Sequence, residues 1–272
     1  MAVSQVNGIE LYYECHGEGE PVILIPGFGS GLWIWFKQIS DFARHFRTIV
    51  FDPRGVSRSE KPSGTMSINM LASDVAGLMT ALEIETAHIV GASFGGFVAQ
   101  EFALAYPEKV RSLTLCCTSF GGPGHVMPSP ETLQAMASTK LLNTEERVRK
   151  NLLLAFSPSY LENEKDEVQE IIELRAENPV PEHVYLQQLQ AAIAFTAESR
   201  LSAIKAPTLI ITGDADMIVR PVNSINLATR IPHAETRVVP GGSHTFFIER
   251  ADEFNEIVCG FISSHTRSEA VV

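Results

Sequence analysis

The chain has 272 residues, of which 45% are hydrophobic and 19% charged, and its formal net charge is −11. The acidic balance argues against nucleic acid as a partner, because a basic patch is the usual footprint of nucleic-acid binding. No apolar run approaches the roughly 18 residues that a membrane span needs, and the N-terminus lacks a signal-peptide pattern, so we expect a cytoplasmic protein with no membrane partner.

Short apolar segments alternate with amphipathic ones over the first 118 residues. Strands are expected at 9–17, 22–26, 47–52, 87–91 and 110–117. Helices are expected between them at 31–46, 67–84 and 97–107. Alternating buried strands and helices indicate an α/β fold, with a mostly parallel sheet covered by helices on both faces.

The alternation stops after the strand at 110–117 and resumes near residue 201. The intervening segment begins with a stretch rich in Gly, Pro and Ser, and then shows mainly helical patterns. The remaining strands are expected at 208–212 and 235–239, and the remaining helices at 222–230 and 251–265. We therefore predict a core formed by residues 1–118 and 201–272, with residues 119–200 as a helical cap insertion. A chain of this length suits one large domain with an insertion.

Residues 91–95 read Gly-Ala-Ser-Phe-Gly and match the G-x-S-x-G pattern. A strand is predicted before the motif and a helix after it, which places Ser93 on a sharp strand-to-helix turn. The residues two before and two after the serine must then be small to avoid neighbouring backbone. The pattern is short enough to occur by chance, and it gains weight from this context and from the additional Gly96. Ser93 is therefore the candidate nucleophile.

A serine hydroxyl needs a base to remove its proton, and the base needs a carboxylate to orient it. Groups at the carboxyl ends of parallel strands converge, so both partners are expected just after later strands. Asp216 follows the strand at 208–212 and is preferred to Asp214, whose alternative role is a turn-forming carboxylate. His244 follows the last predicted strand, after two glycines that packing does not explain.

The order Ser93, Asp216, His244 resembles that of the α/β-hydrolase fold superfamily. The matching motifs extend over nearly the whole chain and read PGFGS, DPRGVSRS, GASFGG, GDADMIV and GGSHTFF. Within the superfamily, the chain is similar to the small capped serine esterases, enol-lactonases and lactonases. The resemblance implies a helical cap inserted after the sixth strand of the α/β-hydrolase fold.

The resemblance also implies an oxyanion hole formed by two backbone N–H groups. One belongs to Phe94, which follows the nucleophile, and the other to Phe28, in the loop after the third strand. Losing one such donor typically costs about 2.7–4 kcal/mol of transition-state stabilisation. Two positions depart from the family: Pro26 stands where many relatives have histidine, and Ser57 replaces a glycine within DPRGVSRS.

The substrate pocket is expected to be lined by apolar side chains. The residues assigned to it are Trp33, Met127, Phe156 and Phe195, with His125 and His183 left open. No arginine cluster marks a dicarboxylate site, and the net charge of −11 also disfavours an anionic enol-lactone. Neutral esters or lactones with apolar acyl groups, including acyl-homoserine lactones, fit better. We expect no cofactor, and no metal because the four cysteines lack metal-ligand spacing.

The predicted function is hydrolysis of carboxylic esters or lactones by a Ser-His-Asp triad, through an acyl-enzyme intermediate. A serine nucleophile disfavours dehalogenase and epoxide hydrolase chemistry, for which this fold uses an aspartate. A cofactor-free perhydrolase or a carbon–carbon bond hydrolase stays open as an alternative. A ligand sensor that keeps the triad is a further alternative, which rests on fold-level analogy alone. The sequence leaves the oligomeric state open.

Overall fold

A single sheet of eight strands organises the protein in the computed structural model, which describes residues 2–137 and 144–266. The strands are β1 (Ala2–Val6), β2 (Ile9–His16), β3 (Pro21–Ile25), β4 (Arg47–Phe51), β5 (Ala87–Ala92), β6 (Val110–Cys116), β7 (Thr208–Gly213) and β8 (Glu235–Val239). Their order across the sheet is β1-β2-β4-β3-β5-β6-β7-β8. The pairs β1–β2 and β2–β4 are antiparallel and every other pair is parallel, which confirms the predicted mostly parallel α/β sheet.

Helices pack against both faces of this sheet. Those of the core are α1 (Ile39–Phe42), α2 (Ile68–Ala81), α3 (Phe94–Ala105), α9 (Val222–Ala228), α10 (Phe246–Glu249) and α11 (Ala251–Ser263). Side chains of one strand alternate between two buried apolar clusters, because successive residues of a strand point to opposite faces. In β3, Ile23 and Ile25 join the cluster that contains α2 and α3, whereas Val22 and Leu24 join the cluster that contains α11.

Within the described residues five α-helices lie between β6 and β7, and we call them the inserted helices. They are α4 (Pro130–Ala137), α5 (Thr144–Ala155), α6 (Pro158–Asn163), α7 (Lys165–Glu177) and α8 (Glu182–Ala194). A backbone bridge between Gly121 and Thr196 joins the two ends of the segment. The predicted helical character of the segment is confirmed over its described residues, and the domain boundaries at 118 and 200 stay a prediction. Within the described ranges, no helix has the length and apolarity needed to cross a membrane.

Two sequence predictions about the core were incomplete or wrong. Strand β1 was not predicted, because it is a half-buried edge strand that pairs only with β2 and lacks an apolar run. The helix predicted over 31–46 is instead a 3₁₀ turn at Leu32–Trp35 followed by the short α1. All four residues of that turn are buried, and a surface helix with one apolar face could not bury four consecutive side chains.

Candidate active site

Ser93 occupies the turn between β5 and α3 with a left-handed backbone, at φ +53°. This conformation is uncommon for residues with a side chain, so the surrounding structure must hold it. The Ser93 N–H donates to the Cys116 carbonyl at 2.8 Å, and Thr118 Oγ1 donates to the Ser93 carbonyl at 2.7 Å. Both backbone groups of the serine are thereby fixed to the end of β6.

The small residues around Ser93 are required by close backbone contacts. A Cβ atom on Gly91 would approach the Gly95 carbonyl within 3.0 Å, and one on Gly95 would lie 2.5 Å from the Pro26 carbonyl oxygen. A Cβ atom on Gly96 would lie 2.5 Å from Thr118 Oγ1. Any larger residue would therefore displace the neighbouring backbone or the Thr118 side chain. The predicted requirement for small residues two before and two after the serine is confirmed.

His244 contacts Ser93 and Asp216 through its two ring nitrogens. Its Nε2 atom lies 3.0 Å from Ser93 Oγ, and its Nδ1 atom lies 2.8 Å from Asp216 Oδ2. The other carboxylate oxygen of Asp216 accepts hydrogen bonds from the N–H groups of Ile218 and Val219, at 2.8 and 2.9 Å. Asp216 and His244 are 4% and 8% exposed, so the pair is shielded from water. The three residues predicted as nucleophile, base and acid thus meet at one point.

The Asp216 carboxylate determines the protonation chemistry of His244. Burial alone would lower the pKa of His244, but the charge of Asp216, the neighbouring Cys117 and the hydrogen bond to Asp216 together outweigh it and raise that pKa to about 9. An N–H on Nδ1 that donates to Asp216 leaves Nε2 of the neutral ring as an acceptor for the Ser93 hydroxyl. The arrangement can therefore take a proton from Ser93 and stabilise the imidazolium that forms.

The remaining acid and histidine candidates lie elsewhere. Asp214 accepts a hydrogen bond from the Gly241 N–H at 2.6 Å and so joins two loops, as expected for a turn-forming carboxylate. His183 is exposed in the first turn of α8. His125 is partly buried in the loop after β6, and burial lowers its pKa.

The loop after β3, which we call the oxyanion loop (residues 26–31), passes directly beside Ser93. A Cβ atom on Gly27 would lie 3.5 Å from the Ser93 Cβ atom. The Phe28 ring meets the Phe94 ring edge to face, with centroids 5.8 Å apart. Within the described residues, the N–H groups of Phe28 and Phe94 donate no hydrogen bond. Free backbone N–H groups beside a serine are the kind of donor that binds a negatively charged oxygen.

Two hydrogen bonds from other elements support the oxyanion loop. The Gly29 N–H donates to Gln188 Oε1 at 2.8 Å, and the Leu32 N–H donates to Asp52 Oδ1 at 2.9 Å. Asp52 is fully buried and is also paired with Arg58, whose Nε lies 3.0 Å from Oδ2. The loop is therefore bonded to α8 at Gly29, and Leu32, the residue that follows the loop, is bonded to the buried Asp52. No sequence pattern points to Gln188, which lies in a regular helical segment.

The four residues assigned to the substrate pocket lie in different environments. Phe195 stacks on Phe97 with ring centroids 4.7 Å apart, and Phe97 in turn contacts Phe94. Trp33 and Phe156 are buried in the apolar cluster that contains α11. Met127 is 56% exposed. Of the four, only Phe195 joins the aromatic side chains around Phe94, and the pocket roles of the other three stay predictions.

One cationic side chain that the sequence did not single out lies next to the oxyanion loop. The Arg175 Nη2 atom, on α7, lies 3.9 Å from the position that a Cβ on Gly29 would occupy. Among the described residues no carboxylate pairs with it, and burial lowers the pKa of Arg175. Across the same residues, no three His, Cys, Asp or Glu side chains are grouped as a metal site would require.

Comparisons with known proteins cover nearly the whole chain. A family model described as alpha/beta hydrolase fold matches residues 20–251. The chain is 33% identical to "Putative carbamate hydrolase RutD" of Azorhizobium caulinodans, over 96% of this chain and 98% of that protein. It is 30% identical to "2-hydroxy-6-oxononadienedioate/2-hydroxy-6-oxononatrienedioate hydrolase" of Burkholderia vietnamiensis, over 94% and 92%. The solved enol-lactonase of Burkholderia xenovorans LB400 superposes with a TM-score of 0.86 at 28% identity, over 96% of this chain and 100% of that one.

Proposed function

The chain belongs to the alpha/beta hydrolase fold family, and on that basis we propose that it is a serine hydrolase of carboxylic esters or lactones. The observation that carries the proposal is the continuous hydrogen-bonded line from Asp216 through His244 to Ser93. Two free backbone donors beside Ser93 add the second element that acyl transfer needs, a site for the oxyanion.

The geometry supports a two-step reaction. Ser93 Oγ attacks the acyl carbon while Nε2 of His244 takes the hydroxyl proton, and Asp216 stabilises the imidazolium. The negative oxygen of the tetrahedral intermediate is bound by the N–H groups of Phe28 and Phe94. His244 then returns the proton to the leaving oxygen, which leaves an ester on Ser93. Water, activated by the same histidine, hydrolyses that ester and frees the serine.

The inserted helices are proposed to form the cap of residues 119–200 and to close the acyl side of the site. Phe195, at the end of the inserted segment, contacts the aromatic side chains beside Ser93 through Phe97. Apolar rings at this point favour an apolar acyl group, since water is expelled from both surfaces when the group binds.

Hydrolysis of p-nitrophenyl acetate and butyrate, a short lactone and an aryl carbamate by wild type and Ser93→Ala tests the proposal. We expect wild type to hydrolyse the ester or the lactone, and Ser93→Ala to lose about 10⁴-fold or more in kcat. Electrospray mass spectrometry of wild type quenched during turnover should show one added acyl mass that Ser93→Ala lacks. Full-rate ester hydrolysis by Ser93→Ala would contradict the proposal.

Arg175 supports a second candidate, the hydrolysis of a carbon–carbon bond in a substrate that carries a carboxylate. The guanidinium of Arg175 is partly buried and has no carboxylate partner in the described residues. An anionic group of a bound ligand would stabilise its charge by forming charged hydrogen bonds. The Burkholderia vietnamiensis relative is named for a dioate substrate. Turnover of a 2-hydroxy-6-oxo-dienoate with neglect of all simple esters would favour this candidate over the first.

A further inference from the structure

We propose that Gln188 is a positioning residue that holds the oxyanion loop in its active geometry; this role rests on the proposed function. Gln188 lies on α8 of the inserted helices and is 1% exposed. Its Oε1 atom accepts a hydrogen bond from the Gly29 N–H at 2.8 Å. Because a backbone N–H can only donate, this bond requires the oxygen of the Gln188 side-chain amide, and not its nitrogen, to face the loop.

The oxyanion loop makes few backbone contacts that could replace this bond. Gly29 has a left-handed backbone, at φ +61°, and the loop turns through a bond from the Ser30 N–H to the Gly27 carbonyl at 3.2 Å. Within the described residues the Phe28 N–H donates no hydrogen bond. The adjoining peptide between Phe28 and Gly29 is held by Gln188 and, through its carbonyl, by a longer bond of 3.4 Å from Ser30 Oγ. Without that acceptor the Gly29 N–H would be buried and unpaired, which favours rotation of the peptide toward another partner. The Phe28 N–H belongs to the neighbouring Gly27–Phe28 peptide, which shares the Phe28 Cα atom with the rotated one, so release of the Gly29 anchor also displaces the donor from the oxyanion.

The same face of α8 contacts the Phe28 side chain. Tyr185 lies three residues before Gln188, and its ring meets the Phe28 ring edge to face with centroids 5.0 Å apart. Val184, Gln188 and Ala191 are buried at helical spacing, which fixes the rotation of α8 against the core. The packed helix α8 thus contacts the loop twice, by a hydrogen bond to the Gly29 backbone and by a ring contact with the Phe28 side chain.

This arrangement makes the inserted helices part of the catalytic geometry. An oxyanion donor acts on the transition state and only weakly on the bound ester, so its misplacement lowers kcat and leaves KM nearly unchanged. A displacement of about 1 Å in a catalytic group can cost roughly 100-fold in rate. Loss of Gln188 is therefore expected to act on kcat and on the binding of transition-state analogues together.

The test compares Gln188→Met and Gln188→Leu, which remove the acceptor at similar volume, with Gln187→Met. Gln187 is the adjacent glutamine of α8, and its side chain bonds instead to the Gly64 carbonyl. We measure kcat and KM for p-nitrophenyl butyrate, affinity for a boronic acid that forms a tetrahedral adduct with serine, and the thermal midpoint. The concentration of active sites is measured by titration to completion with a p-nitrophenyl phosphonate. Rates are divided by this concentration, so that unfolded protein does not lower the measured kcat.

Both Gln188 variants should lose about tenfold to 100-fold in kcat with KM within about twofold, and boronic acid affinity should fall in parallel. Gln187→Met should match wild type in all three measurements. A Gln188 variant whose kcat per site stays within twofold of wild type would overturn the positioning role. An effect confined to KM would also overturn it. Ser93→Ala distinguishes failure of the Gln188 role from failure of the proposed serine-hydrolase function. If Ser93→Ala keeps its activity, the proposed function is wrong, whatever the Gln188 variants show.

Discussion

Thr245 donates two hydrogen bonds to a single acceptor, the carbonyl oxygen of Ala155. Its N–H lies 3.0 Å from that oxygen and its Oγ1 atom lies 2.7 Å away. Thr245 directly follows His244, and Ala155 is the last residue of α5. Glu249 adds a second link by accepting a hydrogen bond from the Ser157 N–H. The loop that carries the histidine is thus bonded to the inserted helices, as the oxyanion loop is through Gln188.

Thr245→Val removes one of these two bonds and keeps the shape of the side chain. We expect about 1 kcal/mol of lost unfolding free energy, the typical worth of such a bond, and a decrease in kcat of less than about tenfold. Urea denaturation and ester hydrolysis measure the two effects. Thr245→Ser keeps the hydroxyl and should match wild type in kcat. Equal stability and rate in Thr245→Val and wild type would show that the hydroxyl bond is dispensable.

The activity should depend on pH through His244. Only the neutral imidazole can accept the Ser93 proton, so kcat/KM falls as His244 becomes protonated below its pKa. Because Asp216 raises that pKa above the ordinary 6.5, toward about 9, kcat/KM should rise with pH through the neutral range. The measurement is kcat/KM for p-nitrophenyl butyrate from acid to alkaline pH. A profile already flat at neutral pH would contradict the raised pKa.

The two acids after β7 should differ sharply when each is changed to asparagine. Asp216→Asn removes the charge that stabilises the imidazolium and should lower kcat by about 10⁴-fold. It should also lower the pKa of His244, because the carboxylate is what raises it. Asp214→Asn serves as the matched control, since its carboxylate bonds the Gly241 N–H, and kcat should change little. A larger loss in Asp214→Asn than in Asp216→Asn would reverse the assignment.

Ser57 stands where the family pattern has glycine, and its backbone is left-handed at φ +44°. Its hydroxyl oxygen is buried, with no hydrogen-bond partner in the described part of the chain. Ser57→Gly should therefore raise the unfolding free energy by roughly 0.5–1 kcal/mol, after the larger entropy of unfolded glycine is subtracted. Ser57→Ala removes the hydroxyl alone and should gain less. Thermal and urea unfolding of both variants measure the difference, and a destabilised glycine variant would contradict it.

The contribution of Arg175 to kcat/KM should be larger for a negatively charged substrate than for a neutral one. Arg175→Gln should lower kcat/KM for a carboxylate-bearing ester by about tenfold to 100-fold, the usual worth of a charged hydrogen bond, and spare the matched neutral ester. Lys165→Gln removes the same charge from an exposed position of α7 and serves as the control. Equal losses on the charged and the neutral ester would show that Arg175 does not recognise an anion.

Most of the geometry of the candidate site could be predicted because its residues follow the ends of strands. Ser93, Asp216 and His244 lie within a few residues of the ends of β5, β7 and β8, and parallel strands bring their carboxyl ends to one edge. The small residues around Ser93 are a local requirement of the turn and so are visible in the sequence. The fold class follows from the same alternation of strands and helices.

The contribution of the inserted helices could not be predicted in this way. Gln188 and Arg175 lie beside the oxyanion loop because of how α7 and α8 pack against it, and helical periodicity in the sequence does not specify that packing direction. Met127, an apolar loop residue that the sequence predicts in the pocket, is 56% exposed, and its pocket role stays a prediction. The helix predicted over 31–46 failed because tertiary packing buries consecutive residues there.

The separation of the site residues along the chain has a consequence for how the protein acquires activity. Ser93 and His244 are 151 positions apart, and Gly29 and Gln188 are 159 apart. During synthesis Ser93 is made long before His244. A growing chain therefore contains the serine but not yet the histidine that is proposed to remove its proton. Contacts between residues so far apart along the chain raise the contact order of the fold, which is associated with slower folding. Under the proposed function, hydrolysis requires all of these distant segments to be in place, so an incomplete chain is expected to be inactive.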